Sequence, residues 1–512
     1  GKPADALRKL VNEKPSVLSF VRVMNAKDFL RLGVPLGEAT RRATDFVAQY
    51  VQRGGDPAKL EEAIKAIVAN PALFAEDPLR KEFAKAIANA PPPPRAEPVK
   101  YRQWGEGAEH EAVMQMEKAC LLPVSVTGAL MPDAHVGYGL PIGGVLATEN
   151  AVIPYAVGVD IACRMKMTVL DIPVRDLENK QDRLTRAIEA ETRFGVGASF
   201  KQRREHEVMD ADWSVSGVTK QNKDRAWSQL GTSGSGNHFV EFGIFTLHSD
   251  LTRPLNQPSA TFSPSGGEKQ DERASQRLPA GQYVALLSHS GSRGTGAAVC
   301  DHYSKLAFGL RRAELPSELL RLAWLSLDSQ EGQEYWNAME LMGQYAAANH
   351  ACIHRHIAEH LGAEVLHDLE NHHNFAWKEK HVVDGVERDV IVHRKGATPA
   401  GQGTLGIIPG SMAAPGFVVS GKGNAESLHS ASHGAGRAMS RKAANEKFNW
   451  KDVNRFLKQQ GVTLISAGLD EVPMAYKNIR DVMAAQHDLV TVLGEFMPRL
   501  VKMAPAGERP ED

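Results

Sequence analysis

Several short, turn-like segments of this chain place histidine, aspartate, cysteine or glutamate beside glycine, where backbone can come close to a ligand. MPDAHVGYGLPIGG carries Asp133 and His135, and GVDIAC carries Asp160 and Cys163. GTSGSGNHFVEFG carries Asn237, His238 and Glu241, and LLSHSGSRGTG carries His289 and Arg293. Further on, ENHHNF holds His372 and His373, and SASHGAGR holds His433. One histidine alone is an ordinary satisfied core residue. The recurrence of Asp, Cys and His next to tight turns is instead the donor set of a divalent first-row transition metal. Asp160 and Cys163 stand three apart after an apolar run, a spacing that aims a carboxylate and a thiolate at one ion; the plainer alternative for Cys163 is a small buried hydrophobe. This ligand mix does not choose among metals.

The loops GTSGSGNHF and SGSRGTG are rich enough in glycine to cradle phosphate through backbone N–H groups. Neither matches a P-loop or a dinucleotide fingerprint, which argues against an ordinary P-loop NTPase or a Rossmann dehydrogenase. A further stretch, VHRKGATPAGQG with GKGN, offers His393, Arg394, Lys395 and Lys422 as a local polyanion site.

The elements that position these groups divide by texture. Residues from about 4 to 90 space their apolar side chains three and four apart, predicting a small all-helical N-terminal domain over 1–90. A proline-rich linker, 91–98, follows. Beyond it short β-branched runs alternate with helical stretches, so 99–512 reads as an α/β (α+β) catalytic body with mixed sheets and surrounding helices. Residues 250–280, rich in Pro, Ser, Gly and charge, read as a flexible surface insertion. The formal net charge of -1 advertises no polyanion partner globally, so any nucleic-acid site must be a local patch. Four scattered cysteines do not form a disulfide framework, and no stretch reaches the roughly 20 apolar residues of a membrane span; a cytoplasmic protein is expected.

In order along the chain, MPDAHVGYGLPIGG, GVDIAC, GSGNHFVE, HSGSRG, HHN, VHRKGAT, IPGSM and SHGAGRAMSRKAA resemble the RtcB family of RNA ligases, from about Tyr101 to Lys502. The resemblance implies two manganese ions, with Asp160, Cys163 and His238 on one, Cys163, His289 and His373 on the other, and Cys163 as the bridge. It implies His433 as the histidine that carries GMP from GTP, with Asp133 as a second catalytic residue. Asn237, Glu241, Ser411, Gly434 and Lys502 would bind the nucleotide, Glu241 and Lys502 as guanine readers. The RNA phosphates would be held by Arg293, Arg394, Lys395 and Arg437. The implied reaction joins RNA 2′,3′-cyclic phosphate or 3′-phosphate ends to 5′-hydroxyl ends, as in broken tRNA halves or damaged RNA. Two alternatives are a metal-dependent RNA end phosphoesterase and a non-catalytic RNA-repair subunit. Arg164, directly after Cys163, departs from the glycine frequent in relatives and is expected to narrow or re-charge the RNA channel.

Overall fold

The computed structural model describes residues 24–90, 94–252 and 277–508. The expected helix before residue 24, most of the proline run and the centre of the 250–280 insertion lie outside the described residues. The chain gathers into two compact units, one of residues up to Ala96 together with Phe308–Leu320, the other of Glu97–Ala307 and Arg321 onward.

The first unit contains helices α1 (Ala26–Arg31), α2 (Glu38–Gln52), α3 (Leu60–Ala69) and α4 (Lys81–Ala88). On α2 the buried residues Ala39, Ala43, Phe46 and Val47 recur at helical spacing and form one apolar stripe. That stripe meets Phe83 of α4, with the Phe46 and Phe83 rings stacked 5.8 Å apart. Full burial of each phenylalanine contributes about 1.5–3 kcal/mol.

The second unit is built on two sheets. A five-stranded sheet runs β1 (Tyr101–Gln103), β2 (Ser125–His135), β3 (Ile142–Thr148), β9 (Val386–Lys395), β8 (Asn374–Val383). An eight-stranded sheet orders β7 (Val365–His372), β4 (Arg164–Leu170), β6 (Gly281–Ser290), β5 (Phe239–Leu247), β15 (Val490–Met503), β12 (Gly416–Gly421) and β11 (Leu405–Ile408), with β14 (Thr463–Ser466) also beside β15. A short pair, β10 (Ala397–Pro399) with β13 (Ser430–Ser432), completes the frame. The expected mixed α/β body is therefore present.

Pleating decides which residues reach the site, because successive side chains on a strand face opposite ways. On β6, Val284 and Leu286 join one apolar cluster, with Ile353 and Ile357 of the long helix α8 (Gln330–Leu361) and Leu184 of α6 (Gln181–Glu191). Ala285 and Leu287 face the other way, towards Met165 and Met167 of β4, and His289 shares their parity. Helix α8 starts on the Ser329 hydroxyl, which accepts from Gly332 N–H at 3.1 Å, and stops at Gly362 in the left-handed region.

Strand β4 is buried along its whole length although it carries Arg164 and Lys166. Both cations find acids on the neighbouring β7: Arg164 lies 3.4 Å from Glu370, and Lys166 pairs with Asp368. Arg164 also donates to the Gly343 carbonyl at 2.9 Å. This corrects the expectation that Arg164 re-charges an RNA channel, since its guanidinium is committed to the interior between sheet and helix.

Candidate metal centre and nucleotide site

Cys163 stands immediately before β4 and after Ala162, whose φ of 57° is left-handed and rare for a residue with a Cβ. Two hydrogen bonds hold that turn: Ala162 N–H donates to the Asn374 carbonyl at 2.7 Å, and His373 N–H donates to the Cys163 carbonyl at 3.0 Å. His373 itself occupies the single position between β7 and β8, where the chain passes from one sheet to the other. Gly291 makes room for the carboxylate of Asp160, because a Cβ there would lie 2.2 Å from both of its oxygens.

The donor atoms converge. Cys163 Sγ lies 3.1 Å from His289 Nε2 and 3.5 Å from His238 Nε2. His289 Nε2 is 3.2 Å from His373 Nε2, and His238 Nε2 is 3.0 Å from Asp160 Oδ2. Two groups result, Asp160 with Cys163 and His238, and Cys163 with His289 and His373, and the sulfur is common to both. Asp160 Oδ2 accepts no hydrogen bond from a described residue, as a lone pair reserved for a cation would not. His289 donates its Nδ1–H to the Asn237 carbonyl at 3.0 Å, which leaves the Nε2 lone pair pointing into the cluster. Burial pushes His289 down to about 3 and holds His373 far below the ordinary imidazole value, so both are neutral and able to ligate. The donor set fits borderline-soft divalent cations.

Beside this cluster lies His433, directly after β13, with its ring centroid 5.0 Å from that of His373. Its Nδ1 and the Asp133 Oδ2 are 2.7 Å apart. The same oxygen accepts from the backbone N–H of His433 at 3.2 Å and of Gly434 at 3.3 Å. Asp133 is wholly buried near the end of β2. Burial works against its ionisation, but the hydrogen bond and charge of His433 outweigh it and hold the carboxyl below its usual value. The carboxylate thus fixes the tautomer with the proton on Nδ1 and leaves Nε2 as the basic nitrogen. Gly436, at φ 71°, closes this turn where a Cβ would sit 2.2 Å from the Asp133 carbonyl oxygen.

A cavity of about 830 Å³ opens over both features. Asn237, Glu241, Ser411, Gly434, Lys395 and Arg437 line it with the cluster and His433. Glu241, on β5, is buried and its pKa is raised well above the ordinary carboxyl value by desolvation. Lys395 is pushed down to about 8 by burial, and its ammonium donates to the carbonyls of Tyr138 and Tyr155, tying the loop that follows β2 to the helical turn Pro154–Val157. Arg437 donates to the Asp470 carbonyl at 2.7 Å and lies 3.4 Å from Glu471.

Other expected residues sit elsewhere. Lys502 pairs with Val240 in the β15–β5 register, whereas Val501 pairs with Glu241, so Lys502 projects from the opposite face of the sheet. Its ammonium lies 4.0 Å from Glu189 and over the Phe194 ring, and Lys502 is not among the residues that line the cavity. Arg394 is also corrected: its guanidinium is buried, forked on Glu379 at 2.6 and 3.0 Å, and bonded to Ser430 and the Leu428 carbonyl. Arg293 is buried at the start of α7 (Arg293–Arg311), donates Nε–H to Thr232 at 3.0 Å and does not line the cavity. His393 is spent between strands, its ring nitrogens engaging Leu146 and Ile153 backbone. Arg441 and Glu471 line the cavity and were not singled out; the spacing of Arg437 and Arg441, four apart in SHGAGRAMSR, was the available signal.

A buried cluster of cysteine, imidazole and carboxylate groups that could hold metal ions lies beside an aspartate-oriented histidine, an arrangement suited to metal-assisted nucleophilic chemistry. The family described as "tRNA-splicing ligase RtcB" matches residues 115–503, and the chain belongs to the RtcB family. It is 31% identical to the RNA-splicing ligase RtcB of Escherichia coli (strain K12), over 77% of this chain and 95% of that protein. It is 30% identical to the tRNA-splicing ligase RtcB of Methanococcus maripaludis, covering 76% and 89%, and 30% to that of Thermococcus kodakarensis, covering 70% and 83%. Among the described residues no helix is long and apolar enough to cross a membrane.

Proposed function

We propose that this chain is an RNA ligase that joins 2′,3′-cyclic phosphate or 3′-phosphate ends to 5′-hydroxyl ends, using GTP, two manganese ions and His433 as the carrier of GMP. The names of its relatives support RNA joining, and the observation that carries the chemistry is the Asp133–His433 pair at the edge of the cysteine-bridged cluster. Asp160, Cys163, His238, His289 and His373 would hold the metals, whose contribution when bound is to neutralise and orient the triphosphate. With its proton on Nδ1, His433 offers the Nε2 lone pair to the α-phosphorus of GTP; the N–P bond forms as the bond to pyrophosphate breaks. The positive charge that develops on the imidazole is then stabilised by the buried Asp133 carboxylate.

Water opens a 2′,3′-cyclic end, breaking the P–O2′ bond to leave a 3′-phosphate and a 2′-hydroxyl; the histidine then gives GMP to the 3′-phosphate, and attack by a 5′-hydroxyl releases GMP and leaves a phosphodiester. Lys395 and Arg437, which line the cavity with Arg441, would meet RNA phosphate. Among the residues that line the cavity, Glu241 would accept from the N–H edge of guanine, and Asn237, Ser411 and Gly434 would contact the phosphates or ribose. Incubation with α-labelled GTP and manganese tests this reading: label on the protein, lost in His433→Ala, supports it. Opening of cyclic phosphate ends without any labelled protein would favour the phosphoesterase instead.

A further inference from the structure

A second group of ligating side chains lies away from the cavity, and none of its members lines it. Glu379 and His381 stand two apart on β8 and so share one face of the strand. His429 comes from the turn before β13, and the potential ligand atoms of all three residues lie within 4.8 Å of one another. His381 Nε2 is 2.7 Å from Glu379 Oε2, and the His381 and His429 rings are 4.7 Å apart at 47°.

Two features go beyond an ordinary imidazole–carboxylate pair. Leu428 and His429 both adopt left-handed φ, 52° and 51°, a costly conformation for residues with a Cβ. That turn is what brings the His429 ring against His381, while no hydrogen bond joins that ring to a described residue. Its backbone, by contrast, is satisfied: N–H donates to the Asn424 carbonyl at 3.0 Å, and the carbonyl accepts from Ala400 N–H at 2.7 Å. A partly buried imidazole is therefore held in place beside another imidazole and a carboxylate without a hydrogen bond of its own.

We infer that Glu379, His381 and His429 form a zinc site separate from the cavity. Two imidazole nitrogens and one carboxylate oxygen form a His₂Glu set, to which water from the partly exposed side of Glu379 can add a fourth ligand. Binding displaces the proton between His381 Nε2 and Glu379 Oε2 to solvent. Arg394 stays on the far side of the carboxylate, as its outer partner. Its charge weakens the site and disfavours all-oxygen cations such as magnesium, which lack the imidazole bonds to compensate. The location suits a brace: the site ties β8 to the strand β13 that ends at Ser432, immediately before His433.

The test is metal counting on the full chain, dialysed against zinc chloride and desalted before elemental analysis. His381→Gln and His429→Gln should each hold about one zinc ion per chain fewer than the parent. The same deficit should appear when both are made in a Cys163→Ala background, where the sulfur common to the other two groups is gone. Near-UV circular dichroism establishes that each variant is folded. Zinc-edge anomalous diffraction from parent crystals gives an independent readout, with a peak expected between His381 and His429. An unchanged zinc count in folded variants, or diffraction with no peak there, overturns the assignment.

Discussion

Replacing Asp133 by Asn isolates what the buried carboxylate does for His433, since the change is nearly isosteric and removes only charge and one acceptor. In the parent, one oxygen accepts from the His433 ring at 2.7 Å and from two backbone N–H groups at 3.2 and 3.3 Å. A hydrogen bond to a charged group contributes about 1.5–3 kcal/mol, and each 1.36 kcal/mol is about tenfold in rate. Loss of the charge alone therefore slows formation of the GMP adduct by roughly 10- to 150-fold. The amide adds a second penalty whenever its NH₂ faces the ring, because it then favours the tautomer with the proton on Nε2 and removes the nucleophilic lone pair. The assay is single-turnover labelling with α-labelled GTP at saturating manganese, alongside metal content and near-UV circular dichroism. The expected result is a folded, metal-replete variant with slow labelling. A folded Asp133→Asn protein that labels at the parent rate refutes the orientation argument.

Four further outcomes are expected. Cys163→Ser, which weakens the one atom common to both metal groups, should lose manganese and the GMP adduct together, measured by elemental analysis and labelling. Glu241→Ala should erode the preference for GTP over ATP in the labelling assay, whereas Lys502→Ala, altered on the opposite face of the sheet, should leave GTP dependence unchanged. Arg394→Met should act on stability, costing about 3–5 kcal/mol in denaturant unfolding because it strands Glu379; loss of RNA affinity without loss of stability would restore the RNA role rejected above. Glu379 has a folded pKa of about 2 against an ordinary 4.5: burial opposes ionisation, and Arg394 and His381 overcome it. Its stabilisation is thus fully present above pH 4.5 and lost as pH falls towards 2, so the stability gap between parent and Glu379→Gln in chelator should close over that window.

The convergence of the candidate site groups was legible because each is fixed by a local feature: a glycine-bounded turn puts Asp160, Cys163, His238, His289 or His433 beside the end of a strand, where side chains can converge. Facing was not legible at the chain's far end. A register shift between Pro498 and Leu500 on β15 sets which of Val501, Lys502 and Met503 meets the cavity, and nothing in the residue types announces a bulge. Charge misled for a related reason. Arg164 and Arg394 resemble phosphate ligands in sequence, but their acids, Glu370 and Glu379, lie on neighbouring strands and become partners only once the sheets form. The mixed α/β body followed from alternating textures, whereas the grouping of Phe308–Leu320 with the front helices is a long-range contact that periodicity cannot encode.

The most direct test is to locate the covalent nucleotide. After incubation with GTP and manganese, mass spectrometry of the digested protein should find GMP on the peptide containing His433, acid-labile as a phosphoramidate is, and absent from His433→Ala. GMP on a different residue, or a folded, manganese-loaded protein that takes none from GTP, would contradict the account.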